Sequence, residues 1–186
     1  SDESRGLGDV YKRQMPDTFT SLGGNQFVNS PIMGNWGDWL KDDLRYELNS
    51  RYEISGFGLV GKSSGGYGAL VRGMKDDCWD AIACHSGDCG FELLFGIEMA
   101  STLTQLAPYG GANEFLKHIK DTPSISGDNF HALMILAMAA TYSDGSLPVD
   151  ENCKFDDEKW AQWLNWDPLR LVEDHRNLPS CWIDVG

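Results

Sequence analysis

Gly61-Lys62-Ser63-Ser64-Gly65-Gly66-Tyr67-Gly68-Ala69-Leu70 is the stretch whose reading decides the fold. It follows a short apolar run, Phe57-Gly58-Leu59-Val60, and leads into residues 68–74, which read as a helix. The order is strand, tight glycine turn, helix, with a serine at the apex. Gly61, Ser63 and Gly65 fit G-x-S-x-G, the pattern of a nucleophile elbow. A nucleophile at the tip of so sharp a turn needs neighbours without Cβ atoms, or the strand and the helix cannot approach. A helix starting there also aims backbone N–H groups at the space above Ser63, where an oxyanion would form.

The same residues satisfy a second pattern. Residues 56–63 match G-x-x-x-x-G-K-[ST], the phosphate-cradling P-loop, with Lys62 on phosphate and Ser63 on Mg²⁺. The two readings put the strand in different places. A P-loop needs its strand before Gly56, where Arg51-Tyr52-Glu53-Ile54-Ser55 is too polar for a buried parallel strand. The apolar run falls inside the supposed loop instead, and Gly65, Gly66 and Gly68 are poor filling for the first turn of a P-loop helix. Context favours the elbow; a nucleotide site and a glycine-rich turn of no function remain the alternatives.

At 186 residues the chain is long enough for one domain with a real core. Hydrophobic content of 41% and charged content of 23% are ordinary for a globular protein. A net charge of −13 argues against nucleic acid and against anionic membrane surfaces as partners. The five cysteines are odd in number and lack C-x-x-C pairing, so neither a zinc site nor a disulfide framework is expected. They favour a reducing, cytoplasmic compartment. No apolar run approaches membrane-spanning length.

Residues 1–14, SDESRGLGDVYKRQ, are polar and without period. Asp9 to Gln14 resembles one reading frame of an adaptor used in DNA library preparation, so this segment is read as a disordered scar and set aside. Residues 15–33 read as a long loop in which Gly23-Gly24-Asn25-Gln26 offers amide hydrogen-bonders near a site. Trp36, Leu40, Leu44 and Leu48 recur every four residues, predicting an amphipathic helix that ends near Asn49-Ser50. Ala81-Ile82-Ala83-Cys84 predicts the next parallel strand, closing a βαβ unit over residues 57–84.

His85-Ser86-Gly87-Asp88 follows that strand, at the carboxyl edge where open α/β sheets place their sites. His85 as base and Asp88 as acid are tempting partners for Ser63. Chain order in such folds runs serine, acid, histidine, which disfavours His85; capping of a helix near Glu92 is the plainer role for this loop. Residues 89–180 show no strand, with helices expected at about 91–106, 112–120, 127–141, 157–165 and 168–174. Asp156-Asp157 and Asp167-Pro168 read as helix starts, and Trp160, Trp163 and Trp166 as packing core. His118, His131 and His175 stand alone, without a ligand-like partner at i+4. Residues 181–185 read as a third parallel strand.

Several stations along the chain together resemble the esterase branch of the α/β-hydrolase superfamily. That branch includes enterochelin-esterase-like proteins, S-formylglutathione hydrolases and mycobacterial mycolyltransferases. The stations are Pro16-Asp17, Phe19-Thr20, Gly23-Gly24 with Gln26 and Asn29-Ser30, residues 61–70, and His85-Ser86-Gly87-Asp88. Further on come Ala137-Met138-Ala139-Ala140, Tyr142-Ser143, Trp166-Asp167-Pro168 and Ile183-Asp184-Val185-Gly186. The resemblance covers residues 15–186. It implies a partial α/β-hydrolase fold, a parallel sheet remnant with residues 89–180 as a helical cap insertion. It implies ester hydrolysis of a small-molecule substrate through an acyl-serine, without a cofactor. Ser63 would be the nucleophile and the N–H of Ser64 one oxyanion donor.

The resemblance also implies that the triad aspartate lies a few residues beyond Gly186 and the histidine later still, and that the first strands precede Met15. On that expectation the 186 residues are the middle of a hydrolase, weakly active at best, and of marginal stability because unpaired sheet edges are left open. A thermal transition above about 50 °C, ordinary for an intact mesophilic domain, would contradict this. A hydrolase-like domain used only for binding is the third reading.

Overall fold

The computed structural model describes residues 11–122 and 124–185. Of the segment set aside as a scar, residues 1–10 lie outside the described residues, and residues 11–14 are exposed and without regular structure.

The chain is a mixed α/β structure. A two-residue antiparallel pair, β1 (Asn29–Ser30) and β2 (Gly34–Asn35), precedes the first helical run. That run is not a regular α-helix. A turn of α1 (Trp36–Asp38) passes into a π-helical stretch, Trp39–Leu44, and then α2 (Arg45–Arg51). A strict four-residue spacing drifts around a helix of 3.6 residues per turn; wider i→i+5 closure reduces that drift and keeps Leu40 and Leu44 on one side. Leu40 is buried there with Trp79 and Ile82, and Leu44 packs against that group.

Next come β3 (Gly58–Lys62), α3 (Ser64–Lys75) and β4 (Ala81–His85). β5 (Ser180–Asp184) returns beside β4, giving the order β3-β4-β5, parallel throughout. The ladder therefore starts one residue later and runs two residues further than the apolar tetrad, and α3 starts at Ser64 rather than at Gly68. Glycine has little intrinsic helix preference, and tertiary contact overrides it here. A Cβ on Gly61 would land on the backbone of Gly65, and one on Gly66 would sit 2.9 Å from the His85 carbonyl oxygen. Only unsubstituted backbone lets helix and sheet meet this closely.

Residues 89–180 are helical as expected: α4 (Phe91–Leu94), α5 (Met99–Leu106), α6 (Ala112–Lys120), α7 (Gly127–Tyr142), α8 (Asp157–Leu164) and α9 (Pro168–Asp174). The helix expected at about 91–106 is broken by a 3₁₀ turn at Gly96–Glu98 into α4 and α5, and a second 3₁₀ turn at Ala107–Tyr109 separates α5 from α6. One isolated antiparallel bridge joins Val149 to Phe155. All of these but α6 contribute to a core shared with α3; α6 packs through Phe115 on α5 and α7. Tyr67, Val71 and Met74 of α3 share a core with Phe91, Phe95, Met99, Ile135, Met138, Tyr142 and Trp163. Trp163 is fully buried, at 5.6 Å from Tyr142 and 6.0 Å from Phe95 between ring centres, so it is core.

Asp167 ties the layers together. It caps its own helix through the Leu169 N–H at 3.1 Å and also accepts from the N–H groups of Gly90 (2.9 Å) and Phe91 (2.7 Å) at the start of α4. One buried carboxylate thus serves two helix N-termini, where negative charge is favoured. The loop that follows β4 was the candidate cap for α4; Asp167, from far along the chain, does that work.

Candidate active site at the carboxyl edge of the sheet

Ser63 is the single residue between β3 and α3. Its backbone lies at φ 54°, ψ −124°, a conformation that a side chain rarely adopts and that costs on the order of 1–3 kcal/mol. Two backbone bonds hold it there. Its N–H donates to the His85 carbonyl at 3.0 Å, and its carbonyl accepts from the Tyr67 N–H at 2.9 Å. The residue is exposed, and no described residue bonds its hydroxyl. Ser64 opens α3, so its N–H belongs to a first turn whose amides have no intrahelical acceptor. Strain, exposure and unspent amides coincide at one residue.

Gly61 is the glycine of the pattern that the turn requires. A Cβ on Gly65 would meet open space, so the second glycine is needed only as the bare backbone that Gly61 packs against.

The other candidates divide. Lys62 ends β3, exposed, in register with His85. His85 ends β4, in register with Asp184 of β5, and its Nδ1 lies 2.6 Å from Asp184 Oδ1. A carboxylate only accepts, so Nδ1 is the ring nitrogen that donates to Asp184. Asp184 was not singled out from the sequence as a site residue. The clue was there: two parallel strands that end on His and Asp at the same edge bring those side chains together.

Asp88 goes elsewhere. It accepts from Gln26 Nε2 at 2.9 Å, and Gln26 is almost fully buried with its Oε1 unpartnered. Burial raises the Asp88 carboxyl above its ordinary range, and the Gln26 bond opposes this. The Asn25 amide donates to the Thr18 carbonyl at 2.6 Å within the loop itself, while the Gln26 amide ties the loop to Asp88 and Met138. Burial likewise raises the thiols of Cys84, Cys89 and Cys181, leaving none of them primed as a thiolate. Among the described residues no group of His, Cys, Asp and Glu is placed to hold a metal ion, and no helix is long and apolar enough to cross a membrane.

No protein-family model matches this chain, and no curated protein matches it.

Proposed function

We propose that this chain carries the nucleophile of a serine ester hydrolase of the α/β-hydrolase type, cleaving small carboxylic esters through an acyl-serine intermediate. The observation that carries the reading is the backbone of Ser63: a non-glycine residue at φ 54° on a one-residue turn between a parallel strand and a helix. Strain of this kind persists where surrounding structure over-determines it and is concentrated at active sites. Here it lifts the hydroxyl clear of both elements. Ser63 Oγ attacks the ester carbonyl, and the Ser64 N–H at the positive end of α3 faces the developing oxyanion. Acyl transfer then needs a base for the hydroxyl proton, because a neutral serine is a weak nucleophile.

The P-loop reading is the weaker one. Residues 58–62 are paired strand, where a phosphate-binding loop has to wind freely, and residues 52–57 form no ladder.

The test is covalent labelling by a fluorophosphonate. We expect a single adduct on Ser63 in the wild-type chain and none after Ser63→Ala. Stabilisation by Mg-ATP without any adduct would replace the esterase by a nucleotide site; neither response would leave a domain that only binds.

A further inference from the structure

We propose that the open face of the β3-β4-β5 sheet is closed by a second copy of this chain, related by a two-fold axis parallel to β4. The inference holds whatever chemistry Ser63 performs.

Parallel sheets occur almost only with both faces covered. Here one face is. Leu59 and Ile82 pack with Leu40 and Trp79, and a Cβ on Gly73 of α3 would sit 2.6 Å from Ile82 Cδ1. Side chains alternate along a strand, so the register sends Val60, Ala83 and Trp182 to the other face in one row. Among the described residues these three belong to no packed apolar cluster, and Val60 is 85% and Trp182 57% exposed. A shallow depression there is lined by Val60, Ala81, Ala83 and Trp182. The next row on the same face, at the carboxyl edge, is Lys62, His85 and Asp184. His85 is bonded to Asp184 at 2.6 Å, and no described residue pairs with the Lys62 ammonium.

The two rows are complementary to themselves. Facing sheets pack about 10 Å apart with their strands nearly aligned. An axis lying in the interface along β4 sets β3 of each copy over β5 of the other. Val60 then meets Trp182 of the second copy, twice, and Ala83 meets Ala83 on the axis, where small side chains leave room for the two indoles. Lys62 meets Asp184 of the second copy, also twice. An axis across the strands would instead stack indole on indole and set Lys62 over Gly58, with no acid to meet. Each copy carries a net charge of −13, which opposes pairing at long range, but this row balances one lysine against one aspartate. The face is small. Three strands of five residues span roughly 14 by 17 Å, well short of the ~800 Å² per partner of a stable complex. The pairing is therefore weak and concentration-dependent.

The experiment is sedimentation equilibrium of the 186-residue chain from about 1 μM to about 1 mM, the range of weak complexes. We expect monomer passing to dimer and no further, because a two-fold contact closes on itself. Trp182→Glu, at an exposed position, is expected to weaken pairing by about 10³-fold, roughly 30-fold from each of the two rings. Lys62→Asp sets acid against acid and Asp184→Lys sets base against base, so each variant alone should pair about 10²-fold more weakly. Mixed one to one, the two variants should pair again, since every contact is then acid on base. A role for either residue within its own chain cannot produce that recovery. Should Asp184→Lys lose its circular-dichroism signal along with the His85 bond, Val60→Lys mixed with Trp182→Glu repeats the test at two exposed positions. A monomer at every concentration overturns the proposal and leaves the face to another occupant. Mass that keeps rising past the dimer overturns it in favour of the open edge strands. A dimer that Trp182→Glu leaves intact lies on some other surface, and a mixture that pairs no better than its parts removes the two-fold arrangement.

Discussion

The elbow and the helical layer beside it are built on opposite economies of volume. Around Ser63 the contacts are backbone on backbone: Gly61 against Gly65, Gly66 under the His85 carbonyl, and a strained serine between them. In the helical layer the contacts are ring on ring, with Phe91, Phe95, Tyr142 and Trp163 packed at 4.7–6.4 Å between centres. The first region stores strain and exposes a hydroxyl; the second supplies buried apolar surface that offsets the strain. Position is set by the glycines, and stability by the aromatics.

The contrast predicts effects of different size and sign. The largest is expected at Gly61. Gly61→Ala puts a methyl group on the Gly65 backbone, which cannot move without parting α3 from the sheet, so we expect loss of cooperative unfolding by circular dichroism. The same change at Gly65, where the space is open, should leave the chain folded; equal damage at both would break the comparison. Trp163→Ala comes next, at about 3–5 kcal/mol in urea unfolding, as expected for a large ring removed from a filled core.

Ser63→Gly should act the other way. Relief of φ 54° is expected to stabilise the chain by about 1–2 kcal/mol while abolishing the fluorophosphonate adduct. No gain in stability would mean that the turn is unstrained.

The smallest effect is expected at Asp88. Its carboxyl binds a proton more tightly in the folded chain than in the unfolded one, because burial disfavours the charge. Stability from this group is therefore greatest at acid pH and is lost as pH rises from the unfolded value through the folded one. Asp88→Asn should raise the melting temperature at pH 7 and lose that advantage toward pH 4. An advantage that did not change with pH would place the cause in the Gln26 bond instead.

One further contrast lies within the sheet. Ile82 and Cys84 are buried under α3, while Val60 is 85% exposed and Trp182 57% exposed on the other side, where they flank Ala83 in register. An uncovered apolar face with open edge strands is a setting for association.

The sequence by itself determined where hydrogen-bonded elements begin and end near the elbow, to within a residue or two in each strand. It did so because apolar runs, glycine clusters and Asp-Pro helix starts are local preferences. It also marked Ser63, since the pattern around a strained turn is written in consecutive residues. Only the tertiary structure decided which side chains meet. The π turn at Trp39–Leu44, the double cap by Asp167, the retreat of Asp88 to Gln26 and the union of His85 with Asp184 all depend on strand register or on layers packing face to face. His85 and Asp184 stand 99 residues apart in the chain. Nothing in either neighbourhood fixes the other, and it is the β4–β5 ladder that closes the distance.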